Sequence, residues 1–218
     1  MKRPKVIFFD AVGTLFGVRG SVGEVYSAIA HQHGVEAPAE ALNHAFFQNF
    51  KSASPMAFPG VAPDDIPERE FSWWWAIAAQ TFQQVGVLDQ FDNFAGFFAN
   101  LYAHFATAEP WYLYPDTLST LEHWRSQGVE LGVLSNFDSR LHKVLPAMGL
   151  ADYFSSVTIS TEVGAAKPSA AVFQVALQKH GALPSQAWHV GDSFKQDYQG
   201  AKDVGMRGIW LRRRDSSL

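Results

Sequence analysis

Cysteine is absent from the 218 residues. Disulfides, thiolate metal sites and thiol nucleophiles are therefore excluded, and any chemistry must come from oxygen and nitrogen groups. Long apolar runs are absent too. None approaches the roughly 18 to 20 residues of a membrane span, and residues 1–5 lead straight into a strand-like segment. A cytoplasmic protein with no membrane partner is the expectation. Positive charge is scarce, with 17 Lys and Arg against 21 Asp and Glu for a formal charge of −4, which argues against a nucleic-acid partner because such partners select a basic footprint. The one basic cluster, Arg212, Arg213 and Arg214, is short and terminal and reads as a solvated tail. Apolar residues are plentiful at 47%, an ordinary globular proportion, and the length suits one core domain carrying one modest insertion.

Val6 to Phe9 is a short apolar run of β-branched and aromatic residues, as expected for a strand buried on both faces of a parallel sheet. Similar runs recur at Leu131–Leu134, Val157–Ile159, Trp188–Val190 and Gly208–Leu211, separated by helical periodicity or turn chemistry. Strands alternating with helices imply βαβ units and an α/β, Rossmann-like, doubly wound parallel sheet. Ligands of such sheets bind beyond the carboxyl ends of the strands, where the crossover loops converge. Residues 17–114 break this rhythm with four helical stripes and no convincing strand. They read as an inserted all-helical cap, leaving 1–16 and 115–218 as the core domain. The stretch from Ser54 to Pro67 carries four prolines and reads as an ordered loop.

The polar residues just after the core strands carry the chemistry. Asp10 ends the first strand, and a carboxylate there has the placement to attack phosphorus in line and form an acyl phosphate. Asp192 and Asp197 follow another strand. Together with Asp10 they make an oxygen-rich set of the kind Mg²⁺ prefers. Ser135 follows a third strand and is placed to hold phosphoryl oxygens. Lys167, before Pro168, is placed to neutralise charge on the transferring group. An isolated Asp or Ser after a strand is more often a helix cap or turn residue, and an isolated Lys more often a surface charge. The order of all four segments is what outweighs those readings.

In that order, Asp10-Ala11-Val12-Gly13-Thr14-Leu15, Ser135-Asn136, Lys167-Pro168 and Gly191-Asp192 with Asp197 resemble the four motifs of the haloacid dehalogenase (HAD) superfamily, and residues 17–114 resemble its C1-type cap. Gly191 to Met206, with the cap tryptophans, is similar to the branch containing haloacid dehalogenase-like hydrolase domain-containing protein 3 and the rhythmically expressed gene 2 product. The resemblance implies a hydrolase acting on a small phosphorylated substrate with Mg²⁺ as cofactor. It implies Asp10 as nucleophile and metal ligand, the Val12 carbonyl and Asp192 as further ligands, and Asp197 as ligand or supporting partner. Ser135, Asn136 and Lys167 are then the groups that contact the phosphoryl group.

One position departs from the phosphatase pattern. The second aspartate that normally follows the nucleophile by two residues, and serves as general acid and base, is Val12 here. Such a group is typically worth about 10²- to 10⁴-fold in rate. A phosphatase drawing its proton from elsewhere is the leading reading. A metal-independent 2-haloacid dehalogenase would also lack that aspartate, but it needs a cation for the substrate carboxylate, and no Arg occurs between Arg19 and Arg69. A catalytically weak or inactive binding protein has no need of Asp10, Ser135, Lys167 and Asp192. A phosphonate hydrolase using Lys51 as an amine is a remote fourth. In the cap, Trp73, Trp74 and Trp75 point about 100° apart on a helix, so at least one faces away from the cap core. His44, His104, Arg19 and Glu24 receive no role.

Overall fold

The computed structural model describes residues 3–213. Val6–Phe9 is β1 and lies at the centre of a five-stranded sheet ordered β5-β4-β1-β6-β7, formed by Glu130–Ser135 (β4), Ser156–Ile159 (β5), Ala187–Gly191 (β6) and Arg207–Trp210 (β7). Every pairing is parallel. The central position explains the composition of β1, since all four of its residues are buried and alternate faces both need apolar side chains. Gly132 on β4 leaves room for a neighbour, because a Cβ there would stand 2.8 Å from the Phe8 ring. The chain passes from β1 to β4 and β5 on one side, then returns across β1 to β6 and β7. The carboxyl ends of β1, β4 and β6 therefore border the switch point of the sheet.

The helices of this unit are Thr117–Ser126 (α5), Leu141–Ala147 (α6), Ser160–Val163 (α7), Ala170–Lys179 (α8) and Gly200–Asp203 (α9), with a π-helical stretch at Phe194–Gln199. Val172, Phe173, Ala176 and Leu177 of α8 pack with Val6, Phe8 and Leu134 in one apolar cluster. The fold class expected from the alternating pattern is thus the one observed.

The second unit holds Val22–Gln32 (α1), Ala39–Ser52 (α2), most of Ile66–Val85 (α3) and Phe94–His104 (α4). Ser21 and Glu24 form a reciprocal capping box at the start of α1, which accounts for Glu24 structurally. Tyr26, Phe46, Phe82, Phe97 and Phe98 fill its core, and Trp73, Trp74 and Trp75 are half-buried around that core. Trp73 donates from its indole to the Ser54 carbonyl at 3.0 Å. Arg19 donates to the carbonyls of Glu109 and Trp111, His44 and Lys51 are exposed, and His104 is half-buried beside Glu109.

By contacts, the first unit comprises the chain up to Gly17, Met56–Ile66 and the chain from Leu113, and the second comprises Val18–Pro55 and Pro67–Tyr112. Met56–Ile66 joins the α/β unit because Ser160 donates to the Met56 carbonyl at 2.6 Å and Gly164 packs under Pro59. Two features differ from the sequence reading. Phe16–Val18 (β2) and Trp111–Leu113 (β3) pair as a two-stranded sheet at the two ends of the stretch 17–114 expected to lack strands, with Phe16 just outside it. Three-residue strands show no usable alternation, and their pairing is set by residues about a hundred positions apart. Nor is the Arg212–Arg213 part of the basic cluster simply a solvated tail. Arg213 binds Thr14 and Asp116, and Arg212 lies 5.2 Å over the Trp210 ring; Arg214 lies outside the described residues. Among the described residues no helix is long and apolar enough to cross a membrane.

Candidate active site

Register brings the candidate residues to one rim. Phe9 pairs with Val133 and with Val190, and the Asp10 amide extends the ladder by one bond to the Val190 carbonyl at 2.9 Å. After Asp10 the chain folds into a tight turn in which the Leu15 amide donates to Ala11 at 2.8 Å and the Gly13 amide to Phe16 at 2.8 Å. Gly13 has φ +84°, and a Cβ there would lie 2.5 Å from Oδ2 of Asp192. Both its backbone conformation and its missing side chain are needed for the Asp192 carboxyl to rest on the turn. Gly191 serves Asp197 in the same way, since a Cβ there would lie 2.1 Å from Cγ of Asp197.

Lys167 is the hub. Its buried ammonium donates to Oδ1 of Asp10 at 2.7 Å, to Oδ1 of Asp197 at 2.5 Å and to the Leu134 carbonyl at 3.0 Å, which uses all three of its protons. Burial opposes the Lys167 charge, but Asp10 and Asp197 outweigh it and hold the pKa above its ordinary value. Asp197 is the mirror case. Burial would raise its pKa, yet the charge of Lys167 and the hydrogen bond from His189 hold it far below the usual carboxylate range.

Asp197 has little free capacity left. Oδ1 also accepts from Nε2 of His189 at 2.9 Å, and Oδ2 accepts from the Ser193 amide at 2.9 Å. Asp10 is different, because its Oδ2 has no partner among the described residues. The arrangement fits Asp197 as the group that fixes Lys167, with Asp10 and Asp192 as the carboxylates open to a ligand.

Asp192 shows why a cation suits the site. Desolvation of the carboxyl lodged on the Gly13 turn, followed by the charges of Asp10 and Asp197, pushes its pKa up to about 6 even though the residue as a whole is exposed. Three carboxylates face one ammonium. One oxygen from each of Asp10, Asp192 and Asp197 lies within 4.8 Å of the others, and an all-oxygen set with excess negative charge is what a hard divalent cation takes. A measurable consequence follows by linkage. A carboxyl with a folded pKa near 6 against 3.8 unfolded contributes stability below the unfolded value and loses it as pH rises through the folded one. Mg²⁺ competes with that proton. It is expected to raise the melting temperature of EDTA-treated protein more at about pH 7.5 than at about pH 5; equal shifts would count against cation binding at Asp192.

Asn136 is placed differently from the expectation of a phosphoryl contact. Its side-chain oxygen accepts from the Lys167 amide at 2.7 Å and its amide nitrogen donates to the Lys167 carbonyl at 3.0 Å, so it clamps the backbone that carries the hub. Ser135 is buried at the end of β4, and its hydroxyl has no partner among the described residues, which leaves it available to a substrate oxygen. Val12 is partly buried within the turn and contributes an alkyl side chain only. His189 was not singled out by the sequence. Its place inside the Trp188–Val190 run, a polar ring where both faces are covered, is the signal that could have found it. Burial lowers its pKa more than Asp197 raises it, so the imidazole is neutral. Because a carboxylate only accepts, Nε2 carries the proton, and Nδ1 has no partner among the described residues.

A family model for haloacid dehalogenase-like hydrolases matches residues 4–205. The chain belongs to that family. Haloacid dehalogenase-like hydrolase domain-containing protein 3 of Danio rerio is 35% identical over 96% of this chain and 85% of its own length. The rhythmically expressed gene 2 protein of Drosophila melanogaster is 29% identical over 94% of this chain and 82% of its own. Among solved structures, a HAD phosphatase from Thermococcus onnurineus superposes with a TM-score of 0.63 at 25% identity, covering 98% of this chain and 88% of that one. The family and branch expected from the motifs are the ones found, and membership makes this HAD-like chain a hydrolase by descent.

Proposed function

We propose that this protein hydrolyses a small phosphate ester or acyl phosphate through an aspartyl-phosphate on Asp10, with Mg²⁺ as cofactor. The observation that carries the reading is Lys167 bound to Oδ1 of Asp10 at 2.7 Å beside a group of three carboxylates. Lys167 fixes one oxygen of Asp10 by its hydrogen bond to Oδ1, so that the other is presented as the nucleophile. That oxygen attacks phosphorus, the bond from phosphorus to the leaving oxygen breaks, and water then attacks phosphorus to release phosphate and restore the carboxylate. When bound, Mg²⁺ supplies charge neutralisation for the approaching phosphoryl oxygens. Asp10 and Asp192, with the Val12 carbonyl, are the groups that would hold it. The Ser135 hydroxyl donates to a phosphoryl oxygen, while Asn136, Asp197 and His189 keep Lys167 in place. A carbon-directed attack on a haloacid suits the site less well, since the buried Lys167 ammonium already donates to Asp10, Asp197 and the Leu134 carbonyl and has no proton left for a substrate carboxylate.

Val12 offers no proton to the leaving oxygen, and the consequence is measurable. The rate on alkyl phosphates is expected to depend steeply on leaving-group pKa, with acyl phosphates turned over best. Replacing Val12 with Asp is expected to flatten that dependence and raise alkyl phosphate turnover by about tenfold or more, less where repulsion from Asp10 and Asp192 raises the new carboxyl's pKa. A leaving-group series for both proteins, assayed with Mg²⁺ and with EDTA, tests the reading. Halide release from 2-chloropropionate without metal, or no turnover of any phosphate, would overturn it.

A further inference from the structure

Arg213 makes three contacts that sequence distance gives no reason to expect. Its guanidinium donates through Nη2 to the Thr14 carbonyl at 2.5 Å and through Nη1 to the Asp116 carboxylate. Its face lies 3.9 Å from the centroid of the Tyr114 ring. The partners are 199 and 97 residues away along the chain. The Asp116 arm is exposed, and exposed ion pairs are individually weak. The Thr14 arm is part-buried and grips the turn that follows Asp10.

The carbonyls of Leu15 and Thr14 in that turn accept hydrogen bonds from segments outside it. Leu15 is held by the Tyr114 amide at 3.3 Å and by the Thr117 hydroxyl at 2.6 Å. Thr14 is held by Arg213. Between Thr14 and Asp10 lie Val12, whose carbonyl belongs to the proposed cation site, and Gly13, on which the Asp192 carboxyl rests. Rotating the Thr14 peptide would move both. A planar guanidinium can reach two acceptors while lying flat on an aromatic ring, which an ammonium cannot do.

We propose that Arg213 is a positioning residue for the nucleophile turn, a latch that holds Thr14 and thereby the orientation of Val12 and Gly13 against Asp192. The proposal deepens the phosphatase reading, because its effect on turnover rests on that reading, but its effect on the turn does not. Arg213 touches no reacting atom and acts through Thr14.

The test compares Arg213→Ala, Arg213→Lys and Asp116→Ala in the full chain by hydrogen exchange over residues 11–17 and by steady-state kinetics with Mg²⁺. Loss of one part-buried hydrogen bond is expected to speed exchange of the Thr14, Leu15 and Phe16 amides by about tenfold in Arg213→Ala, with peptides of β4 and β5 unchanged. kcat should fall by about tenfold with KM within about twofold, and added methylguanidine should restore part of it. Arg213→Lys should lie between Arg213→Ala and wild type. Asp116→Ala, which leaves the Thr14 and Tyr114 contacts, should match wild type in both readouts. Wild-type exchange over the turn in Arg213→Ala would overturn the latch, and so would an Asp116→Ala effect as large as that of Arg213→Ala. If the wild type turns over no phosphate, the phosphatase reading fails while the exchange measurement still decides the latch.

Discussion

Asp10→Asn is expected to abolish phosphate release, by at least about 10⁴-fold, while leaving the fold intact. The amide is nearly isosteric with the carboxylate and its oxygen can still accept from Lys167, so the hub is not dismantled. An amide oxygen does not attack phosphorus, and it brings no charge to a cation. The stability effect is expected to be small, because two effects of the same charge oppose each other. Asp10 heads the charges that raise the Lys167 pKa, so its loss weakens that pair, while it also pushes the Asp192 pKa up to about 6, so its loss relieves that repulsion. In EDTA the variant should melt close to the wild type. A variant that lost activity only because it had lost its fold would melt far lower.

The second large effect is expected at Lys167. Replacing it with Met removes the one ammonium that Asp10 and Asp197 share, and breaking a buried pair by deleting one partner typically costs about 3 to 5 kcal/mol. The pH dependence identifies the cause. In the wild type Asp197 has a depressed pKa, so its contribution is full above about pH 4, the unfolded carboxylate range, and is lost as pH falls through the folded value. Without Lys167, burial dominates and Asp197 takes up a proton more readily. Lys167→Met should therefore be most destabilised near neutral pH and approach the wild type as pH falls towards the range where the wild type loses its own advantage. Denaturant titrations at several pH values measure this. A deficit independent of pH would mean that Lys167 acts through packing alone. Phosphate release should fall as well, because Asp10 loses the group that orients it.

The parallel sheet was legible because β1 and β4 are buried on both faces and so carry apolar runs, and because Asp10 and Ser135 fall where those runs stop, as Asp192 does after β6. The pair β2 and β3 was not, since three residues carry no period and their partners lie across the whole of α1 to α4. Met56–Ile66 looked like part of the helical insertion because position along the chain says nothing about where a proline-rich loop packs; the hydrogen bond from Ser160 to Met56 decides it. In the site, the residues at strand ends could be found, but not the way they divide the work. Asn136 stands beside Ser135 in the sequence and turns to the Lys167 backbone instead of outward. His189 was hidden in an apolar strand. Arg213 looked like part of a charged tail because its three partners come from distant segments. In each case the missing information is a tertiary contact that no local pattern encodes.

The central claim is that phosphoryl transfer passes through Asp10, and the most direct measurement is to trap the covalent species. The protein is mixed with an acyl phosphate and Mg²⁺, quenched in acid within one turnover, and digested for peptide mass analysis. The account predicts one phosphoryl group on the peptide that contains Asp10, absent in EDTA and absent in Asp10→Asn. Turnover with no phosphoryl group on that peptide, or with the group on another residue, would contradict it.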